Sequence, residues 1–198
     1  MNTKPILFID FFKTLNHEVY WRSLPSAEKE KIQQLLFRNN TTLVNDWMRG
    51  KHSAEDVNRI AAEKLNIPYE HLWEVFVRDC KTMKIPITTL ETINQLRHKY
   101  FTILLTGNMD SFSRFTQPAL HLDNYFDLIS NSFNEGLHKT DNEGELFLKY
   151  TRLYNAKIQD CVLLDDSKQV YETFSKLGGI AYLITPEKTI SFYLKQLS

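Results

Sequence analysis

The sequence predicts a doubly wound parallel α/β sheet with an all-helical segment inserted after its first strand. Three observations predict it. Short β-rich apolar runs recur along the chain and end in polar residues, the pattern of strands covered on both faces by helices. Helical periodicities separate these runs from residue 88 onward, which implies crossover connections and parallel pairing. Between 16 and 86 the periodicity is helical, with no convincing strand.

Each element follows from local pattern. Ile6–Ile9, ahead of Asp10, is the first strand. The inserted segment reads as four helices, Ser26–Phe37, Thr41–Met48, Ser53–Leu65 and Tyr69–Met83. Ser53 with Asp56 resembles a capping box, although Asp is a weaker partner than Glu, and Gly50 and Pro68 punctuate the hairpins. This segment reads as a cap of residues 16–86 over a core of residues 1–15 and 87–198. Thr88–Lys99, with Leu90, Ile93 and Leu96 inward, leads into a second strand, Phe101–Leu105, that ends before Thr106-Gly107-Asn108. A short strand, Leu128–Ser130, follows Asp127. Helices at Gly144–Tyr154 and Lys168–Leu177 flank the strand Cys161–Leu164, which precedes Asp165-Asp166-Ser167. Gly178 is placed as a helix stop. The last run, Ile180–Ile184, stops before Pro186.

Composition narrows the function. A chain of 198 residues buries a substantial core as one large domain or a domain with an insertion. Lys plus Arg number 24 and Asp plus Glu number 24, so no basic field draws nucleic acid or an acidic membrane. Cys80 and Cys161 lie far apart, in no metal-ligand spacing, and Cys161 reads as a small core residue. The leading residues Met1-Asn2-Thr3-Lys4-Pro5 lack a charged region followed by a long apolar stretch, and no run reaches membrane-span length. A cytoplasmic protein acting on a small molecule is the expectation. No residue pattern specifies an oligomeric state.

The polar residues that close the strands carry the chemistry. Asp10, Thr106, Asn108, Asp165 and Asp166 follow three strands whose carboxyl ends converge in a parallel sheet. A lone Asp at a strand end reads more simply as a turn cap, but three carboxylates in one crevice repel unless a cation is present. Mg²⁺, held by one or two carboxylates with water and substrate phosphate, answers that need. Thr106, ahead of Gly107 and Asn108, offers a hydroxyl and backbone N–H groups to phosphate oxygens. Lys139 supplies positive charge for a phosphoryl transition state.

These residues, in this order, resemble the haloacid dehalogenase (HAD) superfamily with a helical cap after strand one. Asp10-Phe11-Phe12-Lys13-Thr14 is similar to its first motif, Asp-x-Asp-x-Thr. Leu104-Leu105-Thr106 matches the second motif, a strand ending in Thr or Ser. Lys139-Thr140-Asp141 matches the third less closely, and Leu163-Leu164-Asp165-Asp166 matches the acidic fourth. The resemblance spans essentially the whole chain. It implies a phosphohydrolase in which Asp10 is the nucleophile that forms an aspartyl-phosphate. Mg²⁺ would be bound by Asp10, the backbone carbonyl of Phe12 and Asp166, with Asp165 in support. Thr106, Gly107, Asn108 and Lys139 would hold the phosphoryl group of a small phosphorylated metabolite.

Phe12 departs from that pattern. The family's phosphatases carry there an Asp that protonates the leaving group and later activates water. Phe does neither, while its backbone carbonyl is unaffected. Three readings stand: a phosphohydrolase that works without this acid/base, a phosphate- or partner-binding relative with little turnover, and a dehalogenase-like hydrolase, whose family members carry Tyr at this position. A phosphonatase with a Schiff-base Lys from the cap is a fourth, and Lys51 reads more simply as a solvated hairpin residue. His17 is a candidate substitute acid or an exposed linker residue. Tyr20, Trp21, Trp47, Trp73 and Phe76 are candidates for cap core or for a substrate pocket.

Overall fold

A computed structural model describes residues 4–198. Residues 1–3, counted above within the core and within the stretch expected to hold no leader, lie outside the described residues. The strands are β1 (Ile6–Ile9), β2 (Phe101–Thr106), β3 (Leu128–Asn131), β4 (Val162–Asp165) and β5 (Ile180–Leu183). They form one parallel sheet in the order β3-β2-β1-β4-β5. The helices are α1 (Ser26–Ile32), α2 (Thr41–Met48), α3 (Ala54–Leu65), α4 (Tyr69–Lys81), α5 (Ile87–Leu96), α6 (Gln117–Ala119), α7 (Ser132–Glu135), α8 (Glu145–Leu153), α9 (Lys168–Lys176) and α10 (Ile190–Leu197).

The sheet is buried on both faces because alternate residues of each strand point opposite ways. Leu7, Ile9, Leu104, Val162 and Leu164 pack with Leu90 and Ile93 of α5 and Tyr193 and Leu194 of α10. Ile6, Phe8, Ile103 and Leu163 pack on the other face with Phe147 of α8 and Phe174 of α9. Phe8, Phe147 and Phe174 meet edge-to-face, with ring centroids 4.8–5.7 Å apart, the geometry that ring quadrupoles favour. Gly179 is required beneath this cluster: a Cβ there would lie 2.2 Å from the Phe174 ring.

The edges of the elements differ from the sequence expectation where tertiary contacts intervene. The first helix gives way after Ile32 to a π-helical turn, Gln33–Arg38, a local widening often found near functional sites. β5 is as apolar in sequence as β4, yet Ile180 is 44% exposed, because β5 closes the sheet with β4 as its one strand neighbour. Helix α10 was not anticipated, although Ile190, Tyr193 and Leu194 carry its i, i+3, i+4 stripe. Both halves of the Ser53–Asp56 capping box form, despite the shorter acid.

Helices α1 to α4 gather a second apolar cluster around Trp21, Trp47, Leu72 and Phe76. Trp21, Trp47 and Phe76 are fully buried there. Asp110, just past β2, fastens this helical layer to the sheet. Its carboxylate accepts from Trp47 Nε1 (2.7 Å) and the Ala54 N–H (3.2 Å) and pairs with Arg114 (2.7 Å). No helix among the described residues is long and apolar enough to cross a membrane.

Candidate active site

The sheet order makes a crevice at the carboxyl ends of β1 and β4, where connections leave in opposite directions. Asp10 follows β1 directly, Asp165 ends β4 and Asp166 follows it. Their carboxylate oxygens lie within 4.8 Å of one another. Lys139, far away in sequence, reaches this point from the loop after α7. Its ammonium donates to Asp10 Oδ1 at 2.6 Å and to Asp165 Oδ2 at 2.5 Å. Asp10, Asp165 and Lys139 are all buried.

Backbone geometry aims Asp10. Its N–H donates to Leu164 O across the sheet (3.0 Å), and the Phe11 carbonyl accepts from both Leu15 and Asn16 N–H groups. The loop turns so tightly that Lys13 adopts φ 61°, a left-handed conformation that costs a non-glycine residue about 1–2 kcal/mol. No described backbone N–H donates to the Phe12 carbonyl. The Lys139 loop is held from the cap side, where Arg49 pairs with both oxygens of Asp141 (2.6 and 2.8 Å). Asp141 in turn accepts from the His138 N–H.

The electrostatics describe a site short of positive charge. Burial pushes the Asp10 carboxyl up to about 7; Lys139 opposes the rise and Asp165 adds to it. Asp166 is raised as well, by burial and then by Asp165. Burial disfavours the Lys139 charge, yet Asp10 and Asp165 together hold its ammonium above the usual lysine range. With all three carboxylates ionised, one buried ammonium leaves a net charge of −2, which one divalent cation would balance. The residues fit such an ion. Among the described residues Lys139 pairs with Asp10 and Asp165 but not with Asp166, and oxygen donors at this density are what a hard cation takes. Among the described residues, buried Thr14 Oγ1 and Thr106 Oγ1 have no hydrogen-bond partner, an exceptional state for buried hydroxyls. Mg²⁺ is therefore expected to stabilise the fold by mass action, by about 2.7 kcal/mol at one hundred times its dissociation constant, and so to raise the melting temperature. Thermal denaturation of Asp166→Asn checks this: the variant should lose most of the Mg²⁺ effect.

Between cap and sheet, lined by residues that directly follow Asp10 and Thr106, lies a cavity of about 470 Å³. Phe12, Lys13, Gly107 and Asn108 line it, so the loops after β1 and β2 that sequence singled out do meet. Asn108 is oriented: its Oδ1 accepts from the Tyr20 hydroxyl (2.5 Å) and the Met109 N–H (3.0 Å). Of the cap aromatics, Tyr20 lines the cavity while Trp21 and Trp47 are core. His17 is exposed and borders a different, open groove. Lys51 pairs with Asp46 on the surface (2.8 Å). Sequence reasoning missed Phe37, Val44, Met48 and Met109 as cavity walls, since apolar residues that line a cavity look like core. It also missed the Arg49–Asp141 clasp, whose partners are far apart in the chain.

No protein-family model matches the sequence, and no curated protein matches it. Solved structures do. A HAD family enzyme from Bacteroides thetaiotaomicron, crystallised with magnesium and inorganic phosphate, is 16% identical with a TM-score of 0.71, covering 92% of this chain and 94% of that one. A predicted HAD-like family hydrolase from Porphyromonas gingivalis is 18% identical with a TM-score of 0.66, covering 91% of each chain. A 2-haloacid dehalogenase from Pseudomonas syringae pv. Tomato DC3000 is 14% identical with a TM-score of 0.61, covering 93% of this chain and 88% of that one. The chain has the fold of the haloacid dehalogenase superfamily. That fold serves both a magnesium- and phosphate-bound enzyme and a dehalogenase among these neighbours.

Proposed function

We propose that the chain is a Mg²⁺-dependent phosphohydrolase acting on a small phosphorylated metabolite through Asp10. The observation that carries this is the bridge of Lys139 between Asp10 and Asp165 with Asp166 beside them. It leaves an excess of negative charge that Mg²⁺ would offset, and the ion together with Lys139 would then draw in the anionic phosphate ester. Asp10, the Phe12 carbonyl and Asp166 would hold the ion, with Asp165 in support. When bound, the ion neutralises charge on the phosphoryl oxygens.

Asp10 then presents a carboxylate oxygen to phosphorus, oriented by its backbone bond to Leu164. Lys139 and the unpartnered Thr106 hydroxyl receive the equatorial oxygens, with Gly107 and Asn108 closing the loop around them. Asp10→Asn removes the nucleophile and is expected to lower turnover at least ~10³-fold, since nucleophile knockouts are among the most costly. Phosphate release from a broad ester panel, with and without Mg²⁺, measures it. Failure of the wild type on every ester would end the proposal.

Phe12 favours a second reading. A phenyl ring beside the nucleophile suits a dehalogenase-like hydrolase, which needs no leaving-group acid. Halide release from 2-haloacids, independent of Mg²⁺, would establish that reading. A phosphate- or partner-binding relative would bind phosphate and release nothing from either panel.

A further inference from the structure

The cavity and Phe12 together point to a class of substrate. At about 470 Å³ the cavity falls within the range of small-molecule sites. Its walls include the rings of Phe11, Phe12 and Phe37 and the side chains of Val44, Met48 and Met109. Lys13, Glu18, Tyr20, Gln33 and Asn108 line it as well, so eight apolar side chains face five polar ones. Glu18 accepts from the Lys84 N–H (2.8 Å) and pairs with Arg22 (3.5 Å). The Lys13 ammonium stands 5.6 Å from the centre of the Phe12 ring. With most of the lining apolar, a bare ring would meet rings and aliphatic side chains, whereas a ligand carrying many hydroxyls would lose more water contacts than these polar groups replace.

Asn108 adds one directed donor. A backbone N–H only donates, so the bond from Met109 N–H assigns Oδ1 and turns the amide NH₂ away from it. That NH₂ makes no hydrogen bond among the described residues, and Asn108 shares the cavity with Phe12.

We propose that the cavity receives an apolar, ring-sized leaving group, so that the substrates are aryl phosphate monoesters. This rests on the phosphohydrolase reading and deepens it. Asp10 attacks phosphorus, the bond from phosphorus to the aryl oxygen breaks, and that oxygen keeps the electron pair. It departs as an aryloxide, whose ring delocalises the charge, and takes a proton from solvent. No acid at position 12 is required. Water then attacks the phosphorus of the aspartyl-phosphate, its proton passes to solvent, and Asp10 is released as carboxylate with inorganic phosphate.

The test compares 1-naphthyl phosphate, a hexose 6-phosphate and acetyl phosphate with Mg²⁺ present. Acetyl phosphate has a weakly basic leaving group but no ring to fill the cavity. Calorimetry on metal-free protein measures binding of 1-naphthol. The expected result is a kcat/KM for the naphthyl ester at least 100-fold above that for the hexose ester. Naphthol should bind, and Val44→Asp should weaken it at least tenfold, with Phe37→Gln as the alternative variant should the first not fold. Hydrolysis of acetyl phosphate without preference for the naphthyl ester would overturn the substrate class and leave the phosphohydrolase reading intact. No Asp10-dependent hydrolysis of any of the three would overturn both. Absence of naphthol binding, or binding that the folded variants leave unchanged, would overturn the cavity as the ring's seat.

Discussion

Phe12→Asp is expected to raise turnover of simple alkyl phosphates about 10²–10⁴-fold, the usual contribution of a positioned acid/base. The site is prepared for the change. Phe12 is 38% exposed and lines the cavity next to the nucleophile, so a smaller carboxylate there meets no packing conflict. The backbone carbonyl is common to both residues and leaves the proposed metal site as it was. In the wild type the missing base should slow breakdown of the aspartyl-phosphate more than its formation. Acid-quench experiments on an aryl ester should therefore show a burst approaching one phosphate per protein, which Phe12→Asp should abolish. A variant that still binds Mg²⁺ yet gains no activity would mean that residue 12 does not limit the reaction.

Lys139→Met should destabilise the metal-free protein by about 3–5 kcal/mol, the cost of stripping a buried charge cluster of its counterion. For a chain of this size that corresponds to about 6–20 °C in melting temperature. Asp10 is 5% and Asp165 1% exposed, so neither is hydrated when the ammonium is removed. Mg²⁺ should recover part of the loss, because it supplies positive charge to the same oxygens. Thermal denaturation with and without Mg²⁺ measures both effects. An unchanged melting temperature would show that water or protonation compensates these carboxylates, and Lys139 would then matter to chemistry alone. Turnover should fall as well, since among the described residues Lys139 is the cation that pairs with Asp10.

Much of this was legible before folding. Strands that must be buried on both faces are written as unbroken apolar runs, as in Ile6–Ile9 and Val162–Leu164. The residues that end them are conspicuous because a carboxylate after such a run needs a partner. Caps were legible too, Ser53 with Asp56 being local by nature. The cavity was not. Phe37, Val44, Met48 and Met109 have the same apolar signature as the fully buried Trp21 and Trp47, and only packing separates a wall from a core. The fasteners between the helical layer and the sheet were equally silent. Asp110 with Trp47 and Arg49 with Asp141 join residues 63 and 92 positions apart, and no periodicity connects such pairs.

The chain's own order of residues therefore determined the fold class, the strand ends and which carboxylates close them, because hydrophobic periodicity and turn chemistry act over a few residues. The tertiary structure decided the rest. It delivered Lys139 to Asp10 and Asp165, turned Asn108 by bonds from Tyr20 and Met109, and opened an apolar cavity in front of Phe12. Those outcomes depend on distances between segments remote in the chain, which packing alone sets.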